Sequence, residues 1–293
     1  MIVALHHADS TRYPNLGLMK LSAWHKAKGD TIQWFSPLFP ADRVYSSQVF
    51  TWTRPDCYLP PDTQRGGIGL DPASRLPDDV EHTCPDYGLY PTGYSLGFTT
   101  RGCPRHCPWC SVPLAEGPIR AHAEIDEFTR HRDLTLLDNN ILAHPHGIQQ
   151  LELIASRDLR LDCNQGIDAR LIDDATARLL ASIRWQRYIR LACDTAAMMP
   201  VVGRAVERLK AAGYSREIFC YVLVNADIAD ALERVEHLRA LRVDPFAQPY
   251  RDCTGKYPSA ESRRFARWVN HKAIFKSIPY KEYVAAEYKE LTK

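Results

Sequence analysis

Short apolar runs alternate with amphipathic stretches over most of this 293-residue sequence, and this alternation limits the possible folds more than any other feature. Stretches such as DDATARLLASI and IADALERVEHLRALR have helical spacing. Between such stretches, from residue 94 onward, lie six runs typical of buried strands: 94–100, 134–140, 159–164, 188–194, 217–224 and 241–248. Strand-helix alternation indicates a parallel sheet with right-handed crossovers. We therefore predict an α/β fold, either a doubly wound sheet or a partial (β/α) barrel, with ligands at the carboxyl ends of the strands.

The residues before 94 predict a smaller unit and a connector. IVALH, a helical stripe that begins near Leu16 and ends at Gly29, TIQWFSP and RVYSSQVFTWT form a β-α-β pattern. We predict an open, Rossmann-like α/β unit over 1–54. Residues 55–93 are rich in proline, glycine and aspartate, which predicts a connector. The main domain then spans 94–252, and a C-terminal helical extension spans 253–293.

The composition is that of an ordinary globular protein. Hydrophobic residues make up 45%, charged residues 25%, and the formal net charge is +2, which neither requires nor excludes an anionic partner. No apolar run has the length of a membrane span, so no membrane association is expected. MIVALHHADS lacks the basic region and cleavage site of a signal peptide. The nine cysteines are an odd number without a secretory signal, which favours the reducing cytoplasm over a disulfide framework.

Three of the nine cysteines are crowded into RGCPRHCPWCSVP, at Cys103, Cys107 and Cys110. Their spacing is C-x3-C-x2-C, on a loop that follows the first strand of the main domain. A structural zinc site normally has four ligands, and His106 is poorly placed as the fourth because it adjoins Cys107. A [4Fe–4S] cluster usually takes four cysteines, one for each iron. Three cysteines would leave one iron open for a small molecule.

This motif resembles the signature of the radical S-adenosylmethionine (SAM) enzymes, in which an aromatic residue such as Trp109 commonly precedes the third cysteine, near the adenine of SAM. The resemblance covers roughly residues 94–250 and implies a TIM-like partial (β/α)6 barrel. It further implies that Cys103, Cys107 and Cys110 hold a [4Fe–4S] cluster whose open iron binds SAM. Reductive cleavage of SAM would yield a 5′-deoxyadenosyl radical that abstracts hydrogen from a substrate. The electron would come from a low-potential donor of the flavodoxin or ferredoxin type.

Polar residues at the ends of several predicted strands are candidates for binding SAM or the substrate. Asp138, Asn139 and Asn140 correspond by position to the family's motif for the SAM amino group. The later candidates follow the third, fourth and sixth strands: Asn164, Gln165, Arg170, Arg190, Asp194 and Gln248. Asp and Asn are also typical of turns and helix N-caps, so a purely structural role is the alternative.

Two other functions compete with this interpretation. The N-terminal unit resembles a truncated cobalamin-binding domain, which would make the protein a cobalamin-dependent radical SAM methylase; it lacks an Asp-x-His-x-x-Gly pattern. Residues 262–281 interleave basic and aromatic side chains, which is compatible with a zinc-stabilised nucleic-acid-binding module. A helix that buries its aromatic face explains the same pattern. The substrate is left open, and nucleic acid, a modified peptide and a small metabolite are all compatible with the sequence.

Overall fold

The computed structural model describes residues 1–252 and 254–291, which form two compact units. The first comprises residues 1–165 together with 254–255, and the second comprises residues 166–252 and 256–291. Residue 253, where the predicted C-terminal extension begins, and residues 292–293, where it ends, lie outside the described residues.

The first unit opens with a four-stranded parallel sheet. Its order is β2-β1-β3-β4, and the register pairs Val3 of β1 with both Ile32 of β2 and Arg43 of β3. The fourth strand lies within the predicted connector. The elements are β1 (Ile2–His7), α1 (Leu16–Ala27), β2 (Thr31–Trp34), β3 (Arg43–Ser47) and β4 (Gln64–Gly66).

Helix α1 covers this sheet and has clear end signals. Asn15 caps its first turn by accepting a hydrogen bond from the backbone N–H of Leu18. Beyond its last turn, Gly29 has a φ of 81°, as the sequence predicted for a glycine after a helix. Leu18 and Leu21 bury their side chains against Val3 and Leu5, which forms the core of this sheet.

A second parallel sheet in the first unit carries the cysteine segment. Its strands β5, β8 and β9 pair in that order, with Leu96 beside Thr135 and Leu134 beside Leu161. The elements are α2 (Asp78–Glu81), β5 (Ser95–Gly97), β6 (Thr100–Arg101), α3 (Val112–Ala115), β7 (Arg120–Ala121), α4 (Ile125–Phe128), β8 (Asp133–Leu136), α5 (Pro145–Ser156) and β9 (Arg160–Cys163), with a 3-10 turn at Ile141–Ala143.

The second unit contains a parallel sheet of order β11-β12-β13 and a set of helices. Helix α7 has Pro200 in its first turn and Gly213, with φ of 93°, just after its end, as predicted. The elements are α6 (Asp174–Ser182), β10 (Arg184–Trp185), β11 (Ile189–Ala192), α7 (Met199–Ala211), β12 (Ile218–Val224), α8 (Ile228–Ala240), β13 (Asp244–Pro249), α9 (Ala260–Asn270), α10 (Lys272–Ser277) and α11 (Tyr280–Leu291), with 3-10 turns at Ala169–Leu171 and Ala196–Met198.

Helices α9 to α11 bury the aromatic side chains of the basic segment. Phe265 and Trp268 are fully buried, Phe275 is nearly so, and the ring of Trp268 packs edge-on against that of Phe275. Tyr280 also packs its ring against Phe265. The rings of Phe265, Trp268 and Phe275 thus form a small core and are not exposed for stacking on nucleic-acid bases, whereas Tyr280 is partly exposed.

The predicted α/β class and the parallel sheets are confirmed. Each of the six strands predicted after residue 94 overlaps an observed strand: β5, β8, β9, β11, β12 or β13. Closure of these strands into a partial barrel stays a prediction, as does the predicted division into four segments. Among the helices that the structure describes, none has both the length and the apolar character needed to cross a bilayer.

Candidate metal centre

The three cysteines lie on a loop, here called the cysteine loop (residues 102–119), that is closed at its base by β6 and β7. These strands are antiparallel, with Thr100 opposite Ala121 and Arg101 opposite Arg120. Just above this pair, the backbone N–H of Cys103 donates to the carbonyl of Gly117 at 3.2 Å. The loop therefore leaves and re-enters the fold at one place, close to the carboxyl end of β5.

The cysteines differ in exposure along the loop. Cys103 and Cys107 are partly buried, and Cys110 is exposed. A turn links the second and third, because the N–H of Cys110 donates to the carbonyl of Cys107 at 3.0 Å. The backbone N–H of Arg105 donates to the sulfur of Cys103 at 3.4 Å.

A single zinc ion and an iron–sulfur cluster place different geometric demands on cysteine ligands. A lone zinc ion needs its ligands to converge at about 2.3 Å from one point. Within residues 1–252 and 254–291, no three histidine, cysteine, aspartate or glutamate side chains are grouped so that they could share one metal ion. In a [4Fe–4S] cluster each thiolate binds a different iron, so the ligands are spread around a larger group. The loop carries three cysteines of this ligand type.

The end of β8 lies beside the first cysteine. The side-chain amide of Asn140 donates to the sulfur of Cys103 at 3.5 Å. Hydrogen bonds to cluster sulfurs are one of the means by which proteins set cluster potentials. Asn140 thus lies beside a proposed metal ligand.

The buried carboxylate of Asp138 holds the chain that leads into the loop. It accepts hydrogen bonds from the backbone N–H of Thr99 at 3.1 Å and from the hydroxyls of Thr99 and Thr100 at 2.7 Å each. Burial raises the pKa of Asp138, against the opposing effect of these bonds. The carboxylate of Asp138 therefore anchors the backbone and hydroxyls of Thr99 and Thr100. This contact differs from the turn or helix N-cap that the sequence offered as the structural alternative.

A charged network at the base of the loop was not predicted from the sequence. Arg101 donates to Glu81 at 2.7 Å and to Glu116 at 3.0 Å. Glu116 also accepts a hydrogen bond from the side-chain amide of Asn139 at 2.9 Å. Asn139, which was predicted to bind SAM, is therefore bonded within the fold. The signal available in the sequence was the position of Arg101 and Glu116, which directly flank the cysteine segment with opposite charges.

The carboxylate of Glu81 contacts two cationic side chains and one histidine. Its Oε1 lies 3.1 Å from the ammonium of Lys20 and 3.2 Å from Nε2 of His122, in addition to its contact with Arg101. Burial opposes ionisation of Glu81, but the close approach of His122 and the charges of Lys20 and Arg101 outweigh this effect and hold the pKa of Glu81 well below the ordinary range. Conversely, burial lowers the pKa of Lys20.

Three further predicted residues lie in the first unit. Asn164 and Gln165 follow β9, and the backbone N–H of Asn164 donates to the carbonyl of Leu136 at the end of β8. Gln165 is exposed and Trp109 is partly exposed on the cysteine loop. The carboxyl ends of β5, β8 and β9 therefore bring Cys103, Asn140 and Asn164 to the same edge of the sheet.

The remaining predicted residues lie in the second unit. Arg170 is exposed and donates to the carboxylate of Asp168 through Nε at 2.6 Å. Asp194 accepts from the backbone N–H of Leu223 at 3.0 Å, and burial raises its pKa. Arg190 is buried with its guanidinium 4.9 Å from the ring centre of Tyr188, whereas Gln248 is exposed at the end of β13.

One face of the second unit's sheet carries partly buried aromatic rings that sequence reasoning missed. Phe219 of β12 stacks on Tyr188 at 4.9 Å between ring centres and contacts Phe246 of β13. Tyr221 continues the same face of β12. In the sequence, Phe219 and Tyr221 alternate with Cys220 and Val222, which are buried. A strand that is buried on both faces is usually a continuous aliphatic run, so this alternation was the signal for an aromatic face on β12.

Comparison with known proteins provides no assignment. No protein-family model matches the chain, and a search of curated proteins found no match.

Proposed function

We propose that this protein is a radical SAM enzyme whose [4Fe–4S] cluster is held by Cys103, Cys107 and Cys110. The observation that carries the proposal is the position of three thiols on one loop at the carboxyl end of a parallel sheet, beside polar side chains from the next strand. When bound, the cluster would supply the electron that cleaves SAM to methionine and a 5′-deoxyadenosyl radical, which abstracts hydrogen from the substrate.

The residues of the chain would hold and orient this chemistry. Asn140 donates a hydrogen bond to the sulfur of Cys103 and so holds this side chain at the end of β8. Trp109 would line the adenine site. The SAM or substrate contacts proposed from the resemblance are Asn164, Gln165, Arg170, Arg190, Asp194 and Gln248. Asn139 would have to leave Glu116 before it could bind SAM, and Asp138 would act through Thr99 and Thr100.

The proposal includes a partial barrel built from β5, β8, β9, β11, β12 and β13. Supporting it are the parallel pairings of β5 with β8, β8 with β9, β11 with β12 and β12 with β13. The proposal also includes a cytoplasmic location. It further includes an electron donor of the flavodoxin or ferredoxin type, because the cluster in such chemistry has a low reduction potential.

The two competing functions receive less support. At the carboxyl end of the N-terminal sheet, where an open α/β sheet binds its ligand, His6 contacts Ser46 and Asp56, and His7 contacts Tyr90. These contacts engage both histidines within the fold, and no side chain at this edge has been assigned to a cobalamin. For the nucleic-acid-binding module, three of the aromatic rings offered for stacking, those of Phe265, Trp268 and Phe275, are buried in the C-terminal core.

Anaerobic purification and reconstitution of the full chain test the proposal. We expect about four iron and four sulfide per chain, and release of 5′-deoxyadenosine when SAM and dithionite are added. Both should be lost in Cys107→Ala and kept in Cys57→Ala, a matched control at an exposed cysteine outside the loop. Reconstituted wild-type protein that holds no iron, or that holds zinc in its place, would disprove the assignment.

A further inference from the structure

The base of the cysteine loop is closed by backbone contacts that leave little space. Gly102 has a φ of 82°, and a Cβ at this residue would lie 2.2 Å from the carbonyl oxygen of Pro118. Its N–H is not bonded to the backbone opposite, but donates to Oε2 of Glu116 at 2.8 Å. The first residue of the loop is therefore tied to a carboxylate near its end.

Arg101 links this carboxylate to the fold beneath it. One nitrogen of its guanidinium donates to Glu116 and another donates to Glu81. The guanidinium also lies 3.5 Å from the ring centre of Phe98. Because a planar guanidinium can bond two carboxylates at once, it fixes both the distance and the direction between them.

The same network reaches the strand end that contacts Cys103. Glu116 accepts from the amide of Asn139, and the next residue, Asn140, donates to the sulfur of Cys103. The side chains of Glu81, Arg101 and Glu116 are all less than a fifth exposed. Water therefore competes weakly for these bonds, and the bridge couples the start of the loop to its end and to β8.

We propose that Arg101, held between Glu81 and Glu116, is a positioning residue that keeps the cysteine loop closed before a cluster is loaded, with Cys103 beside Asn140. The part of this proposal that concerns the cluster rests on the proposed function. The closed base itself is a property of the chain without metal. Arg101 has no contact with substrate in this role, and acts through the position of Cys103.

Hydrogen exchange of the apoprotein tests the bridge directly, in Arg101→Gln, Arg101→Lys and Glu116→Gln. The amides of Gly102 and Cys103 should exchange about ten- to a hundredfold faster in Arg101→Gln and Glu116→Gln than in wild type. A lysine can keep one of the two carboxylate bonds, so Arg101→Lys should fall between. Arg54→Gln, at an exposed arginine of the first unit, is the matched control and should leave this exchange unchanged. Unchanged exchange in peptides covering β8 and β9 shows that each variant is folded.

The midpoint potential of the reconstituted cluster gives a second readout. Arg101→Lys retains the positive charge at this position, so a change in charge does not explain a shift in potential. Because hydrogen bonds to the sulfurs tune a cluster's potential, a cluster potential more negative than that of Arg54→Gln would report loss of the hydrogen bond from Asn140 to Cys103. Wild-type exchange rates at Gly102 and Cys103 in Arg101→Gln would overturn the positioning role. If instead wild-type protein takes up no iron, the proposed function fails, and the exchange comparison alone decides whether the bridge holds the loop.

Discussion

At Glu81, one carboxylate faces three groups that carry or can carry positive charge. Lys20, Arg101 and His122 come from separate parts of the first unit and meet at its oxygen Oε1. Lys20 is only 6% exposed, so its ammonium has little access to water and depends on this carboxylate. Removal of Glu81 would leave a largely buried cation without its counter-charge, which is more costly than loss of a surface ion pair.

The stability contributed by Glu81 should depend on pH. Its pKa is lower in the folded protein than in the unfolded chain, so its contribution is complete above about pH 4.3 and is lost as the pH falls toward the folded pKa. At neutral pH we expect the free energy of unfolding of Glu81→Gln to be about 3 kcal/mol lower than that of wild type, at the low end for a buried pair because Glu81 is partly exposed. Urea unfolding of both proteins from pH 7 to pH 3 measures this difference, which should shrink below pH 4.3. A difference that grew on acidification would contradict the assignment of the charged form.

The base of the cysteine loop depends on two glycines with different surroundings. Both Gly102 and Gly117 have positive φ, but a Cβ would clash with Pro118 only at Gly102 and would meet nothing within 4 Å at Gly117. The backbone conformation is therefore strained for alanine at both positions, and the space is restricted at one of them.

This pair predicts unequal costs for the same substitution. Gly117→Ala should lower the free energy of unfolding by about 1–2 kcal/mol, from the left-handed backbone alone. Gly102→Ala should lower it by about 2–5 kcal/mol, because overpacking against a carbonyl adds to that strain. Chemical denaturation of the two apoproteins gives both values. Equal losses would mean that the approach of Pro118 to Gly102 relaxes without cost.

Across the whole molecule, the described cysteines divide into two chemical groups. Those of the cysteine loop, with Cys57 and Cys84, have exposed or partly exposed side chains. Cys163, Cys193 and Cys220 are buried at the sheets, and burial raises the pKa of each thiol, to about 12 for Cys193. A buried thiol of raised pKa is a small core residue and a poor nucleophile.

Alkylation of the native apoprotein should follow this division. We expect iodoacetamide to modify Cys57 and Cys110 first, and Cys163, Cys193 and Cys220 more than about tenfold more slowly, because those three react only through local unfolding. Peptide mass spectrometry over time measures each rate, and a denatured sample shows the rates without burial. Modification of Cys220 as fast as that of Cys110 would contradict its burial in β12.

Local patterns in the sequence determined the α/β class, the strand positions and the cysteine trio, because strand and helix periodicity and close spacing along the chain are local properties. The glycines that follow α1 and α7 were readable for the same reason. Only the tertiary structure decided that Lys20, Glu81, Arg101 and His122 meet, that Asp138 is committed to Thr99 and Thr100, and that Asn140 rather than Asn139 reaches Cys103. Such contacts join residues distant in sequence, and no periodicity encodes them, since they follow from how strand ends are brought to one edge of a sheet.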